Sequence, residues 1–161
     1  MTLRLASWMY VKTAGEILNR PGDPQDVMGL LLSPLGDAWY ARSGPYNNGA
    51  LPNGHYKIGT WQPKPATKSP VPFTDRAGHT WLVPVTPLFQ TQRSNLAIHP
   101  DGSKRGFPDG TQGCIGVQVK DTSQVSRLLK MSAGQPLHVR YWRTSDQQLL
   151  SEAKFHDDWS A

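Results

Sequence analysis

"LAIHPDGSKRGFPDGTQGCIGVQV", residues 96–119, holds the only cysteine of the chain, and its reading decides the fold. The stretch opens and closes as an apolar strand, with "LAI" ending at His99 and "CIGVQV" alternating from Cys114 onward. Between them, Pro100-Asp101-Gly102 and Pro108-Asp109-Gly110 are turn clusters that fold the intervening span into a loop. If the two strands are neighbours, His99 and Cys114, fifteen residues apart, come side by side at the strand ends. A thiol is a useful nucleophile once deprotonated, and an adjacent imidazole supplies the base. Gly113 lets the backbone crowd a substrate carbonyl, and the amides of residues 112–114 are placed to stabilise an oxyanion. A free cysteine is ordinarily a small buried apolar filler. A lone histidine is ordinarily a surface or capping residue. The glycine before Cys114 and the turn-rich span set this pair apart.

Outward from this stretch, strand signals dominate. "LRLASWMYV" alternates and is aromatic-rich, "DAWYARSG" ends at Gly44, and "HYKIGTW" and "HTWLVPV" alternate again. "VMGLLLS" is apolar throughout and fits a buried strand or a short helix. "GEILNRPGDPQD" and "GPYNNGALPNG" are turn-bearing connections, and "QPKPATKSPVP", with four prolines, reads as an exposed irregular loop. One clear helix follows Cys114. Asp121 or Thr122 caps it, Val125, Leu128 and Leu129 share a face, and Gly134 ends it. "QPLHVRYW" is a closing strand with Leu137, Val139 and Tyr141 on one side, and "QQLLSEAKFHDDWSA" is a helix or a fraying tail. The pattern predicts one mostly β domain over residues 1–161, a sandwich or barrel with one or two short helices.

A length of 161 residues suits one core, and 37% hydrophobic with 18% charged residues excludes a disordered chain. No apolar run approaches the roughly 18 residues of a membrane span. The N-terminus lacks the pattern of a secretory signal, so synthesis in the cytoplasm is expected. A single cysteine allows no internal disulfide. The net charge of +5 suits an acidic partner such as an anionic cell wall. The basic residues are scattered, with no block or basic helix, which argues against a nucleic-acid module.

"IHPDG" followed by "TQGCIGV" resembles the signature of the L,D-transpeptidase catalytic-domain family: a His, a gap of about fifteen residues, then Ser or Thr, any residue, Gly, Cys and an apolar residue. Thr111, Gly113, Cys114 and Ile115 match it, and His99 sits at the right distance. "SGPYNNGALPNGHYKIG" is similar to the family's upstream Pro-x-Gly-x-Tyr-x-Ile segment. "WMYVKTAGEI" resembles the opening strand of the branch that includes type VI secretion effectors, and the turn-rich "IHPDG … GCIG" resembles phage-encoded relatives. Together these cover roughly residues 5–130.

The resemblance implies the L,D-transpeptidase-like fold and, as substrate, the peptide stem of bacterial peptidoglycan. Cys114 would attack the carbonyl of the third-position diamino acid and form a thioester, and His99 would carry the proton. The product of the attack, often D-Ala, leaves. Hydrolysis makes the protein an L,D-carboxypeptidase or endopeptidase, a phage lysin or a secreted antibacterial toxin reaching the wall after lysis or secretion. The rival outcome is transpeptidation, in which an amine of another stem completes the exchange or crosslink. A rival of another class is a non-catalytic wall-binding or virion module. A monomer without cofactor is expected, with an immunity protein as partner if it is a toxin.

Departures from the pattern pose specific questions. The residue two after the cysteine is often Arg in the family and is Gly116 here, so Arg93 and Arg105 become candidates to replace that contact. The residue after the histidine is Pro100, which has no hydroxyl to orient the imidazole. A backbone carbonyl is the favoured substitute, with Asp101 as the other. Gln112 stands where a His often precedes the Gly-Cys pair. Thr111, Gln112, Arg93, Tyr46 and Asp101 are the candidate substrate contacts, and Asn47 and Asn48 sit beside Tyr46 in the same loop. Tyr56 is expected in the core, and Trp61 and Trp81 either line a groove or pack. His79, His99 and His138 show no metal-ligand spacing, so no metal is expected.

Overall fold

A computed structural model describes residues 3–12, 27–44, 50–64, 74–101 and 114–156. The strands are β1 (Trp8–Lys12), β2 (Val27–Leu32), β3 (Asp37–Ser43), β4 (Gly54–Ile58), β5 (Gln62–Pro63), β6 (Trp81–Pro87), β7 (Ala97–Pro100), β8 (Ile115–Val117), β9 (Pro136–Tyr141) and β10 (Lys154–His156). Two short helices accompany them among the described residues, α1 (Ser123–Lys130) and α2 (Asp146–Glu152). The strand order β3-β2-β1-β9-β4-β6-β7-β8 returns to β3 through a β3–β8 pairing, so eight strands close a barrel. Closure removes the unpaired edges that an open sheet would expose.

Alternation along the strands sorts side chains to the inside or the outside. Trp8 and Tyr10 of β1, Trp39 and Ala41 of β3 and Ile115 and Val117 of β8 fill the interior. The intervening Met9, Val11 and Ala38, with Leu30 and Leu32 of β2, form a second apolar layer outside, and Leu149 of α2, Ala153 and Trp142 pack on it. Arg140 of β9 grips Asp146 of α2 with two 2.7 Å hydrogen bonds, which hold that carboxyl below its usual range. β8 pairs only with Ala41 and Arg42 of β3, and β10 takes the other half of that edge, opposite Asp37, Ala38 and Trp39.

One end of the barrel is plugged by α1. Trp8, Trp39, Trp61 and Trp81 donate their indole N–H groups to Ser132, Gln124, Ser126 and Thr122, all on α1 or at its ends. Val125 and Leu129 are buried beneath it. The two tryptophans expected either to line a groove or to pack therefore pack, with the Lys130 ammonium 4.1 Å from the Trp61 ring. "VMGLLLS" is a strand, because Leu31 and the Leu30/Leu32 pair each find an apolar layer on opposite faces. Gly134 does not end α1, which stops at Lys130; it takes a positive φ of 87° in the turn into β9 and donates to Ile58. Gln62 and Pro63, expected in the proline-rich loop, bridge to β6. The connection expected at 15–26, and residues 45–49 of the one expected at 44–54, lie outside the described residues.

On the outer surface, His55 of β4 and His138 of β9 face each other in register, with rings stacked 4.2 Å apart. Burial, then His55, Arg140 and Arg143, hold the His138 imidazole below its ordinary pKa. The unfolded chain then binds a proton that the folded chain refuses. Stability is full above about pH 6.5 and falls as pH drops toward the lowered folded value. Replacing His138 by Gln is expected to shrink the fall in melting temperature between pH 7.5 and 5.5 by about 1–2 °C, a small effect because the ring is partly solvated. Thermal melts of both proteins at the two pH values test this. An identical fall in both would show that the pair carries no proton linkage.

Candidate active site

The two strands that read as neighbours in the sequence are neighbours in the barrel. β7 and β8 run parallel, with Ile98 opposite Ile115, His99 opposite Gly116 and Pro100 opposite Val117. Ile98, Ile115 and Val117 point into the core. His99 and Gly116 therefore lie on the other face, and Cys114 stands two residues before Gly116, just ahead of β8. A diagonal step of this kind separates residues by about 7–8 Å at the backbone, within reach of an aromatic ring. Gly116 has no side chain to stand between the imidazole and the thiol.

His99 is buried, and its Nδ1 lies 2.7 Å from the carbonyl oxygen of Pro100. A carbonyl only accepts, so Nδ1 carries the hydrogen and Nε2 keeps the lone pair in the neutral ring. A backbone carbonyl thus stands where the missing hydroxyl would act. Asp101 is also buried. Its amide donates to Val117, and its carboxylate accepts from the Gln118 side chain at 3.3 Å.

Cys114 is half-buried at the head of β8. Its thiol lies 3.6 Å from the carbonyl oxygen of Asn95, which is presented by a left-handed backbone turn at φ 56°. Burial pushes the thiol pKa up. The Ala97 amide, Lys64 and Arg93 pull it partly back. A thiol kept protonated at neutral pH needs a proton acceptor to attack a carbonyl, and His99 of the neighbouring strand is the candidate for that role.

The barrel end opposite the α1 plug collects the C-termini of β1, β3, β6 and β9 and the N-termini of β4, β7 and β8. Cys114 sits at this end. Arg93, a predicted substrate contact, lies near enough to lower its pKa, and donates to Ala50 O at 3.1 Å. Lys12 closes β1 at the same end and donates to Leu51 O at 3.0 Å. Neither composition nor motif points to Lys12. The one available signal was the inward alternation Trp8, Tyr10, which runs on to it. Arg42, also missed, is buried on β3 directly opposite Gly116, in the same row as His99. An arginine of the next strand thus stands in register with Gly116. Gly113, Thr111, Gln112, Tyr46 and Arg105 lie outside the described residues.

No family model, curated protein or solved structure matches this chain. The site is therefore judged on its own geometry.

Asp75, His79 and Asp121 bring three ligand atoms within 4.8 Å of one another at the plugged end. Asp75 is already engaged, accepting from the Thr122 amide and hydroxyl, both at 2.7 Å, and from the His79 amide and ring. These bonds fasten the 75–79 turn to the start of α1 and account for the cluster as a structural latch.

Proposed function

We propose that this protein is a peptidoglycan-acting cysteine enzyme that cleaves stem peptides after the third-position diamino acid. The observation that supports this reading is the pairing of β7 with β8, in which His99 stands opposite Gly116, two residues after Cys114. In the first step the Cys114 proton passes to His99 Nε2 and the sulfur attacks the carbonyl carbon. The tetrahedral intermediate collapses, the C–N bond breaks, and the proton on His99 goes to the departing amine. Water then attacks the thioester, with His99 taking its proton, and thiol and acid product are released.

The mostly β barrel agrees with an L,D-transpeptidase-like domain, and the excess of positive charge suits docking on an anionic wall, as for a phage lysin or a secreted toxin. The test is a digest of purified tetrapeptide stems followed by mass spectrometry. Loss of the terminal D-Ala is expected. Incorporation of an added D-amino acid would instead assign the exchange reaction to the same thiol, and intact stems would overturn the reading.

A further inference from the structure

The carbonyl that holds the His99 ring is itself held. Pro100 O takes the Nδ1 hydrogen across 2.7 Å, and the same peptide group donates its N–H, that of Asp101, to Val117 O at 2.9 Å. β7 ends at Pro100, so beyond this peptide the strand ladder no longer fixes the chain. The Asp101 side chain continues the connection. Its Oδ2 accepts from Nε2 of Gln118 at 3.3 Å, and Gln118 is tied onward to β3, its amide donating to Tyr40 O at 2.9 Å.

Asp101 and Gln118 are both 0% exposed. A residue that only made a turn would keep its carboxylate in water, where no desolvation is needed. Burying a carboxylate and an amide costs free energy that their hydrogen bond returns only in part. Gln118 Oε1 has no hydrogen-bond partner among the described residues, so the side chain forgoes one bond while keeping the one to Asp101. A carboxylate only accepts, which sets the amide with Nε2 toward Asp101. A buried polar pair rigidifies its surroundings and specifies one arrangement. The group it specifies here is the Pro100–Asp101 peptide. Rotation of that peptide would take its oxygen off Nδ1. The ring hydrogen could then move to Nε2, and a protonated Nε2 cannot serve as the base.

We propose that Asp101 and Gln118 are positioning residues for His99: the bond between them holds the Pro100–Asp101 peptide so that the imidazole keeps its hydrogen on Nδ1 and its lone pair on Nε2. This rests on the reading of His99 as the base of a stem-cleaving enzyme. It moves Asp101 from the candidate substrate contacts to the support of the base, and it gives a role to Gln118, which no motif singles out.

The tautomer is read without substrate. Two-bond proton–nitrogen NMR of protein labelled at histidine distinguishes a hydrogen on Nδ1 from one on Nε2, and the His99→Gln spectrum identifies the His99 signals among the five histidines. At about pH 8.5, well above the ordinary imidazole range, wild type is expected to carry the hydrogen on Nδ1. Asp101→Ala and Gln118→Met should shift it toward Nε2. In the digest of tetrapeptide stems both should lower kcat by about ten- to a hundredfold, with KM changed by less than about twofold. Asp101→Asn keeps an acceptor for Gln118 and is expected to recover the Nδ1 tautomer and most of kcat, with thermal melts verifying that each variant is folded. A wild-type hydrogen on Nε2 overturns the proposal without any variant. So does a tautomer unmoved in both Asp101→Ala and Gln118→Met, or an Asp101→Asn that recovers neither readout. A rise of KM at constant kcat also overturns it and returns Asp101 to the substrate contacts. If the tautomer behaves as expected while wild type leaves every stem intact, the stem-cleaving reading fails and the positioning of the imidazole stands.

Discussion

Replacing Cys114 by alanine is expected to lower stem cleavage by about a thousandfold or more, because the covalent intermediate is then impossible. His99→Ala should cost nearly as much. Burial holds the thiol above its ordinary pKa, so without a base little of it is thiolate at neutral pH. The double variant should be no slower than the worse single variant, since two groups that act as one unit do not lose rate additively. Folding should survive both changes. Cys114 lies at the head of a short strand and is only partly buried as a residue, and the packing of β8 rests on Ile115 and Val117. In His99→Ala the remaining reactivity toward iodoacetamide should climb steadily into the alkaline range, following ionisation of the thiol alone. Rates from the stem digest, with thermal melts alongside, check the whole set. Cleavage intact in Cys114→Ala would point to another nucleophile, and biological activity kept without any cleavage would point to a non-catalytic module. Loss of cleavage with EDTA, together with indifference to alkylation, would point to a metallopeptidase.

That His99 and Cys114 border neighbouring strands was legible in the sequence, because the signals for it are local. Two apolar strands, two turn clusters and a glycine before the thiol suffice to predict neighbouring strands. Their parallel direction, and the row that sets Gly116 opposite His99, follow from the closed barrel and leave no mark in the residues themselves. Arg42 illustrates the difference. It is seventy-four residues from Gly116 in the chain, and only the β3–β8 pairing places the two opposite each other. Lys12 was hidden for a related reason. A lysine at a strand end ordinarily turns to solvent, and its burial depends on Leu51, Tyr141 and Arg93, which three distant segments bring to one barrel end. The helix that plugs the other end was visible from its apolar face, whereas the four tryptophans that bond it come from scattered positions whose shared target no periodicity could announce.

The integrity of that Lys12 end depends on a residue with no side chain. Replacing Gly29 by valine is expected to destabilise the protein by about 3 kcal/mol or more, through overpacking against backbone. A Cβ at Gly29 would stand 2.4 Å from the carbonyl oxygen of Val11 and 3.1 Å from Cε1 of the Tyr10 ring. The first neighbour is main chain held by the β1–β2 ladder, where Lys12 pairs with Gly29, and cannot move aside alone. The second is a fully buried tyrosine whose hydroxyl lies 3.5 Å from Ala41 O, on the strand beyond β2. Tyr10 thus lies across the strand at Gly29, and a branched side chain there displaces the ring as well as parting β1 from β2. For a chain of this size the loss corresponds to a fall in melting temperature of about 6–12 °C. Gly78→Ala is the matching control. Its φ of 94° is costly for an L residue, but a Cβ there meets nothing within 4 Å, so only backbone strain of about 1 kcal/mol is at stake. Thermal and urea melts of the two variants separate the mechanisms. Wild-type stability in Gly29→Val would mean that β1 and β2 are not paired in this register.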